Sequence, residues 1–180
     1  MLLQRAKAQL LLVDLQERLV PAMAGAEALI AACGNLLQAA RQLKVPVLAS
    51  EQYPKGLGRT VGPIAAALPE GRRFEKLEFS CYGNPAIREE LLRAGREQVV
   101  LAGIEAHVCV LQTGLDLLAA DYQVFVVADA VASRRPESRE IALRRLEQAG
   151  AVPITVEMAL FEWLRSAADP DFRTVSRLIR

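Results

Sequence analysis

The sequence predicts a single α/β domain: a three-layer α/β/α sandwich around a mainly parallel, doubly wound sheet. Three observations carry that prediction. Continuous apolar runs of roughly 5–8 residues recur along the chain, the pattern of strands buried on both faces. Segments with helical spacing lie between them, as right-handed βαβ units require. No linker, repeat or low-complexity tract interrupts the 180 residues, a length that fits one domain (1–180) with a sizeable core.

The elements follow in order. Gln9-Leu10-Leu11-Leu12-Val13 is an apolar strand ending at Asp14. Glu27 to Lys44 is a helix, with Ala28, Leu29, Ala32, Leu36, Leu37, Ala40 and Leu43 at helical spacing. Val45 to Ser50 is the second strand, with Pro46 near its beginning. A loop of turn formers follows, Gln52-Tyr53-Pro54-Lys55-Gly56-Leu57-Gly58. Arg72 to Lys76 reads as a short, edge-like strand. Asn84 then Pro85 opens a helix in cap-then-proline order, running through Arg93 and closed by Gly95. The later strands are Gln98–Ala102, Gln123–Ala128 and Ala151–Val156, and the helices are Cys109–Ala120 and Pro136–Ala149, the second ended by Gly150. A short helix around Met158–Ser166 precedes a basic C-terminal segment. Within that segment Phe172 to Ile179 is amphipathic enough to serve as a docking arm.

Composition narrows the function classes. With 52% apolar residues and a net charge of +1, there is no electrostatic case for nucleic acid or an acidic membrane surface. No apolar run approaches the ~20 residues that span a bilayer. The start, Met1-Leu2-Leu3-Gln4-Arg5-Ala6-Lys7, lacks the order of a signal peptide. Three widely spaced cysteines, Cys33, Cys81 and Cys109, suit reduced thiols in a cytoplasm. The lone histidine, His107, removes most zinc sites, and no metal or cofactor is expected. The absence of a C-x-x-C leaves a disulfide oxidoreductase unsupported.

Sites in such sheets form outside the carboxyl ends of the strands. Asp14 ends the first strand, Lys76 ends the third, and Cys109 follows the fourth. A carboxylate, an ammonium and a thiol from three strand ends can converge there without sequence proximity. A thiol where a helix begins feels the positive end of the macrodipole, which predicts a lowered pKa and alkylation well below about pH 8. Each residue alone has a plainer reading: Asp14 as a helix cap, Lys76 as a solvated lysine, Cys109 as an inert core thiol. A nucleotide-binding or flavodoxin-like reading wants a Gly-rich loop after the first strand, and Asp14-Leu15-Gln16-Glu17-Arg18 offers no glycine.

Four pieces of the chain resemble the isochorismatase-like cysteine hydrolases, the superfamily of nicotinamidases and N-carbamoylsarcosine amidohydrolase. They are Leu11-Leu12-Val13-Asp14-Leu15-Gln16; Lys76 with Phe79-Ser80; Gly103-Ile104-Glu105-Ala106-His107-Val108-Cys109-Val110; and Val127-Ala128-Asp129-Ala130 followed by Ser133-Arg134. Glu51-Gln52-Tyr53-Pro54-Lys55-Gly56-Leu57-Gly58 is most similar to the isochorismatase domain-containing branch. The resemblance implies a Rossmann-like topology and a catalytic set: Asp14 as general base, Lys76 as its cationic partner, Cys109 as nucleophile. It also implies a cis peptide between Ile104 and Glu105 that places the N–H of Glu105 beside that of Cys109. Those would be two oxyanion donors, each typically worth on the order of 3 kcal/mol.

The implied activity is hydrolysis of a small amide-type molecule, in a homo-oligomer; the rival is a non-catalytic interaction module that keeps the fold. The segment Ser50 to Thr60 has no histidine, so a nicotinamidase-type metal is not expected. Gln16, Tyr53, Phe79 and Tyr82 lie on segments bordering the strand ends and are candidate substrate contacts, with His107 as a fifth. For Phe79 and Tyr82 the alternative is core packing, and for His107 a structural hydrogen bond; Arg134 and Arg135 either meet an anionic group or, the favoured reading, sit in solvent.

Overall fold

In a computed structural model, which describes residues 1–179, the first strand β1 (Ala8–Val13) is buried along its whole length. After it come α1 (Ala26–Gln42), β2 (Val47–Gln52), a single helical turn α2 (Pro54–Leu57), α3 (Gly62–Ala67) and β3 (Arg73–Lys76). The second half holds α4 (Pro85–Ala94), β4 (Gln98–Ile104), α5 (Leu111–Ala119), β5 (Gln123–Ala132), α6 (Pro136–Gln148), β6 (Val152–Ile154), α7 (Val156–Leu164) and α8 (Phe172–Val175). The sheet is six-stranded in the order β3-β2-β1-β4-β5-β6, with every pairing parallel. The α/β sandwich is therefore as predicted, with a sheet that is wholly rather than mainly parallel.

Alternation along the strands builds the two outer layers, because successive side chains leave opposite faces. Leu10, Leu12, Val100, Ala102, Phe125 and Val127 pack with α1, α3, α7 and the C-terminal segment. Leu11, Val13, Val99, Leu101, Val124 and Val126 pack with α4, α5 and α6. Asn84 caps α4 by accepting from the Ile87 N–H at 3.3 Å, and Gly95 closes it in the left-handed region at φ 62°.

Several expectations need correction. The second strand starts after Pro46 and runs on through Gln52, so Glu51 and Gln52 join Ser50 in the sheet. α3 has no counterpart in the sequence reading; Pro63 near its start and Ile64 packed into the core hold it. The predicted helix at Cys109 instead begins with a wide turn of π type over Ala106–Val110, and α5 starts at Leu111. The C-terminal segment is no free arm: Val175 is buried, and Phe172, Leu178 and Ile179 pack on the core of their own chain.

One close approach sets the geometry that follows. At the ends of β1 and β4, Val13 pairs with Gly103. Gly103 has φ 115°, and a Cβ there would overlap the Val13 carbonyl and stand 2.6 Å from the Val13 nitrogen. Only glycine brings these strand ends together, and they carry Asp14 and the turn bearing Cys109.

Candidate active site

The strand order reverses between β1 and β4, the switch point where doubly wound sheets bind ligands. Asp14 stands there in the left-handed region at φ 51°, a conformation aspartate tolerates better than most residues. Its N–H donates to the Ser50 carbonyl at 3.2 Å, which turns the side chain inward. Lys76, the last residue of the edge strand β3, reaches back across β2 to this carboxylate. Its Nζ donates to Asp14 Oδ2 at 2.8 Å, and neither side chain meets solvent (0% and 1% exposed). The plainer reading of Lys76 as a solvated lysine is thereby excluded.

The ammonium has further acceptors. Gln52 Oε1 lies at 2.6 Å, the Phe79 carbonyl at 3.1 Å and the Glu78 carbonyl at 3.2 Å. Three hydrogens thus meet four acceptors, leaving none for a ligand. Burial opposes the charge, but the surrounding Cys81, Asp14 and Cys109 more than offset it and hold the Lys76 pKa above the ordinary value. Lys76 is a fixed cation.

Cys109 lies inside the π-type turn, 6% exposed. Its surroundings work against the lowering predicted from a helix N-terminus. Burial pushes its pKa well above the ordinary thiol value, and the Asp14 carboxylate adds to that, against the opposing pull of Lys76. Cys81 is fully buried nearby, and burial and Asp14 push it up to about 11. None of the three cysteines is disulfide-bonded.

The Ile104–Glu105 peptide is cis, as the resemblance implied. The Glu105 carboxylate receives Arg134, through its N–H at 3.2 Å and Nε at 3.1 Å. Arg134 thus pairs with Glu105 while its side chain stays mostly in solvent. His107 Nδ1 stands 2.9 Å from Ser133 Oγ and lines a separate cavity of about 450 Å³ with Arg134, Arg135 and Ser138.

The remaining candidates separate. Gln16 is buried and spent on backbone: its Nε2 donates to the carbonyls of Gln52 and Gly58, and its Oε1 accepts the Gln52 N–H. Tyr53 lines a cavity of about 400 Å³ with Pro54, Lys55, Glu75, Lys76, Leu77, Glu78 and Asn84. Phe79 is half exposed beside it in sequence, so core packing does not describe it. Tyr82 packs edge-on against Tyr122, with ring centroids 6.0 Å apart.

Sequence reasoning missed the polar end of β2. Ser50 Oγ donates to Asp14 Oδ1 at 2.7 Å, Gln52 holds Lys76, and Glu51 Oε1 accepts the N–H and hydroxyl of Thr60, both at 2.7 Å. The available signal was three polar residues continuing an apolar strand, which only a buried polar site accommodates.

Comparison with known proteins bears on the family and the fold. Residues 8–158 match the family model described as the isochorismatase domain. The mouse protein named isochorismatase domain-containing protein 2A is 40% identical over 173 residues, covering 95% of this chain and 82% of its own. A Caenorhabditis elegans structure described as MAR1 ribonuclease superposes with a TM-score of 0.94 at 38% identity, covering 99% of this chain and 92% of that one. An Escherichia coli structure, described as an octameric hydrolase of unknown specificity, shares the fold at a TM-score of 0.87 and 23% identity, covering 98% and 95%. By fold and by sequence, the chain belongs to the isochorismatase-domain family.

Proposed function

We propose that the chain is a cysteine hydrolase that cleaves a C–N bond of a small amide-type molecule through a thioester on Cys109. The observation that carries this reading is the buried Lys76–Asp14 pair, 2.8 Å apart, whose two charges both act on the Cys109 thiol. A carboxylate buried beside a fixed cation is placed to take a proton from a neighbouring thiol as that thiol attacks.

The cycle balances on those groups. Asp14 takes the Cys109 proton as sulfur bonds to the carbonyl carbon, and the π electrons move onto oxygen. The N–H groups of Glu105 and Cys109 receive that charge. Collapse expels the amine or ammonia, which carries off the proton from Asp14. Asp14 then deprotonates a water that attacks the thioester, and the departing sulfur recovers the proton. Lys76 stays charged throughout.

A thiolate prefers a carbonyl carbon to phosphorus, which supports an amide over the phosphodiester suggested by the nematode neighbour's name. The test is ammonia release from nicotinamide, carbamoyl compounds, ureides and aliphatic amides, with an RNA cleavage arm alongside. Release that vanishes in a folded Cys109→Ala variant supports the hydrolase. Undiminished release in that variant sinks the mechanism, and no turnover by wild type favours the interaction module. We expect the active form to be a homo-oligomer, as the E. coli neighbour is described; sedimentation velocity reads this directly.

A further inference from the structure

Two hydroxyl-bearing or thiol side chains behind Asp14 have no part in the cycle above, yet they are joined to it. Ser50 Oγ lies 2.7 Å from Asp14 Oδ1, 3.3 Å from the Asp14 N–H nitrogen and 3.3 Å from Cys81 Sγ. Ser50 and Cys81 are both buried. A serine hydroxyl has one hydrogen and two lone pairs. The Asp14 N–H, shared with the Ser50 carbonyl at 3.2 Å, and the Cys81 S–H both approach the oxygen as donors, and a carboxylate oxygen accepts, so the hydroxyl hydrogen goes to Asp14 Oδ1. Cys81 keeps its hydrogen because burial holds its thiol protonated. With Lys76 on Oδ2, each carboxylate oxygen has a fixed donor.

We propose that Ser50, its hydroxyl aimed by Cys81, is a positioning residue that keeps Asp14 ionised and thereby keeps the resting proton on Cys109. A hydrogen bond to the charged form of a carboxylate favours that form. The Asp14 anion, in turn, opposes a second negative charge on the neighbouring sulfur. The titratable groups that face this carboxylate are Lys76 from β3, Cys81 from the segment after it and Cys109 from the turn after β4. Without Ser50, the proton shared between Asp14 and Cys109 moves toward the carboxylate and frees thiolate. The thiol is thus silent until a substrate arrives, instead of being left open to any electrophile. This role rests on the thiol-hydrolase reading, because it assigns Asp14 as the acceptor of the Cys109 proton.

The test needs no substrate. Iodoacetamide labelling of Cys109 is followed by peptide mass spectrometry across a pH series, on folded wild type, Ser50→Ala, Ser50→Thr and Cys81→Ala. Near neutral pH, Ser50→Ala labels about three- to tenfold faster than wild type. The gain shrinks as pH rises, because Cys109 then ionises in both proteins. Ser50→Thr, which keeps the hydroxyl, labels as wild type does; Cys81→Ala falls between. Equal profiles for Ser50→Ala and wild type overturn the proposal. So does a gain of the same size at every pH, which reports easier access rather than a moved proton. If Ser50→Ala does not fold, Cys81→Ala decides, and an unaltered profile there overturns it. A panel without amide hydrolysis defeats the enzyme reading and leaves these rates to be read on their own.

Discussion

Lys76 Nζ and Asp14 Oδ2 meet at 2.8 Å with both side chains withdrawn from water, and neither has another residue of opposite charge beside it among the salt bridges of the described residues. Desolvating two ions costs several kcal/mol each, returned only when they stay together. Losing one partner is therefore worse than losing both. Lys76→Met should destabilise the fold by about 3–5 kcal/mol in urea denaturation, and Asp14→Asn added to it should recover part of that loss. A double variant as unstable as the sum of the singles would contradict the pairing.

The same pair sets an alkaline limit. Lys76 has its folded pKa raised above the 10.5 of an ordinary lysine. A raised cation contributes stability that is complete below its unfolded pKa and fades as pH climbs through the folded one. The difference in urea midpoint between wild type and Lys76→Met should hold constant through neutral pH and fall only above about pH 10.5. A difference that decays between neutrality and that point would show the ammonium to be less well held than the geometry indicates.

Cys109 answers to charge more than to its place in a helix. Burial and the Asp14 anion hold its thiol up, so wild-type alkylation should be slow near neutral pH and rise steadily into the alkaline range. Asp14→Asn removes the repulsion and leaves Lys76 as an unopposed cation. Labelling of Cys109 near about pH 8 should then speed up by roughly tenfold, even as turnover is lost. Slower labelling in that variant would mean Asp14 promotes the resting thiolate instead of suppressing it.

How far the sequence could be read follows from these residues. Strands and helices whose stabilisation is local were legible: the run ending at Asp14, the Asn84 cap, the Gly95 stop. The three strand-end groups were legible too, though only the family resemblance singled them out. The state of the thiol was not, because helix position is a local property while burial and the approach of Asp14 are not. The burial of Lys76 was hidden for a similar reason. Its strand is otherwise mostly exposed, and nothing in Phe74-Glu75-Lys76-Leu77 says that one side chain folds under the sheet edge. The C-terminal segment misled because an amphipathic face looks the same whether it docks on a partner or on its own core.

Gly103 is a sharper constraint than its place in an apolar strand suggests. Its φ of 115° and the 2.6 Å separation from the Val13 nitrogen that a Cβ would face leave a side chain nowhere to go, because the obstacle is backbone. Gly103→Ala should cost more than about 3 kcal/mol in chemical denaturation, above the usual range for a single substitution. A well-folded variant within 1 kcal/mol of wild type, by the same roughly unit-sized scale of ordinary substitutions, would mean the β1–β4 junction relaxes more easily than its geometry implies.

Gly56 poses the opposite case. A Cβ there would collide with the Tyr53 ring, but that ring is half exposed and can swing aside. Its residue sits in the left-handed region at φ 38°, and the Tyr53 N–H is fixed to the Lys76 carbonyl at 2.9 Å. The backbone is anchored, then, and the ring is what yields. Alanine inside the short helix α2 also gains about 0.5–1 kcal/mol over glycine. Gly56→Ala should consequently leave stability near wild type while displacing one wall of the cavity beside Lys76. Once a hydrolysed amide is in hand, KM should change by about tenfold, the scale of a repacked apolar contact, with kcat little altered. Asp14, Lys76 and Cys109 would be untouched. Unchanged KM in Gly56→Ala and in Tyr53→Ala alike would separate this cavity from substrate binding and direct attention to the one lined by His107 and Arg135.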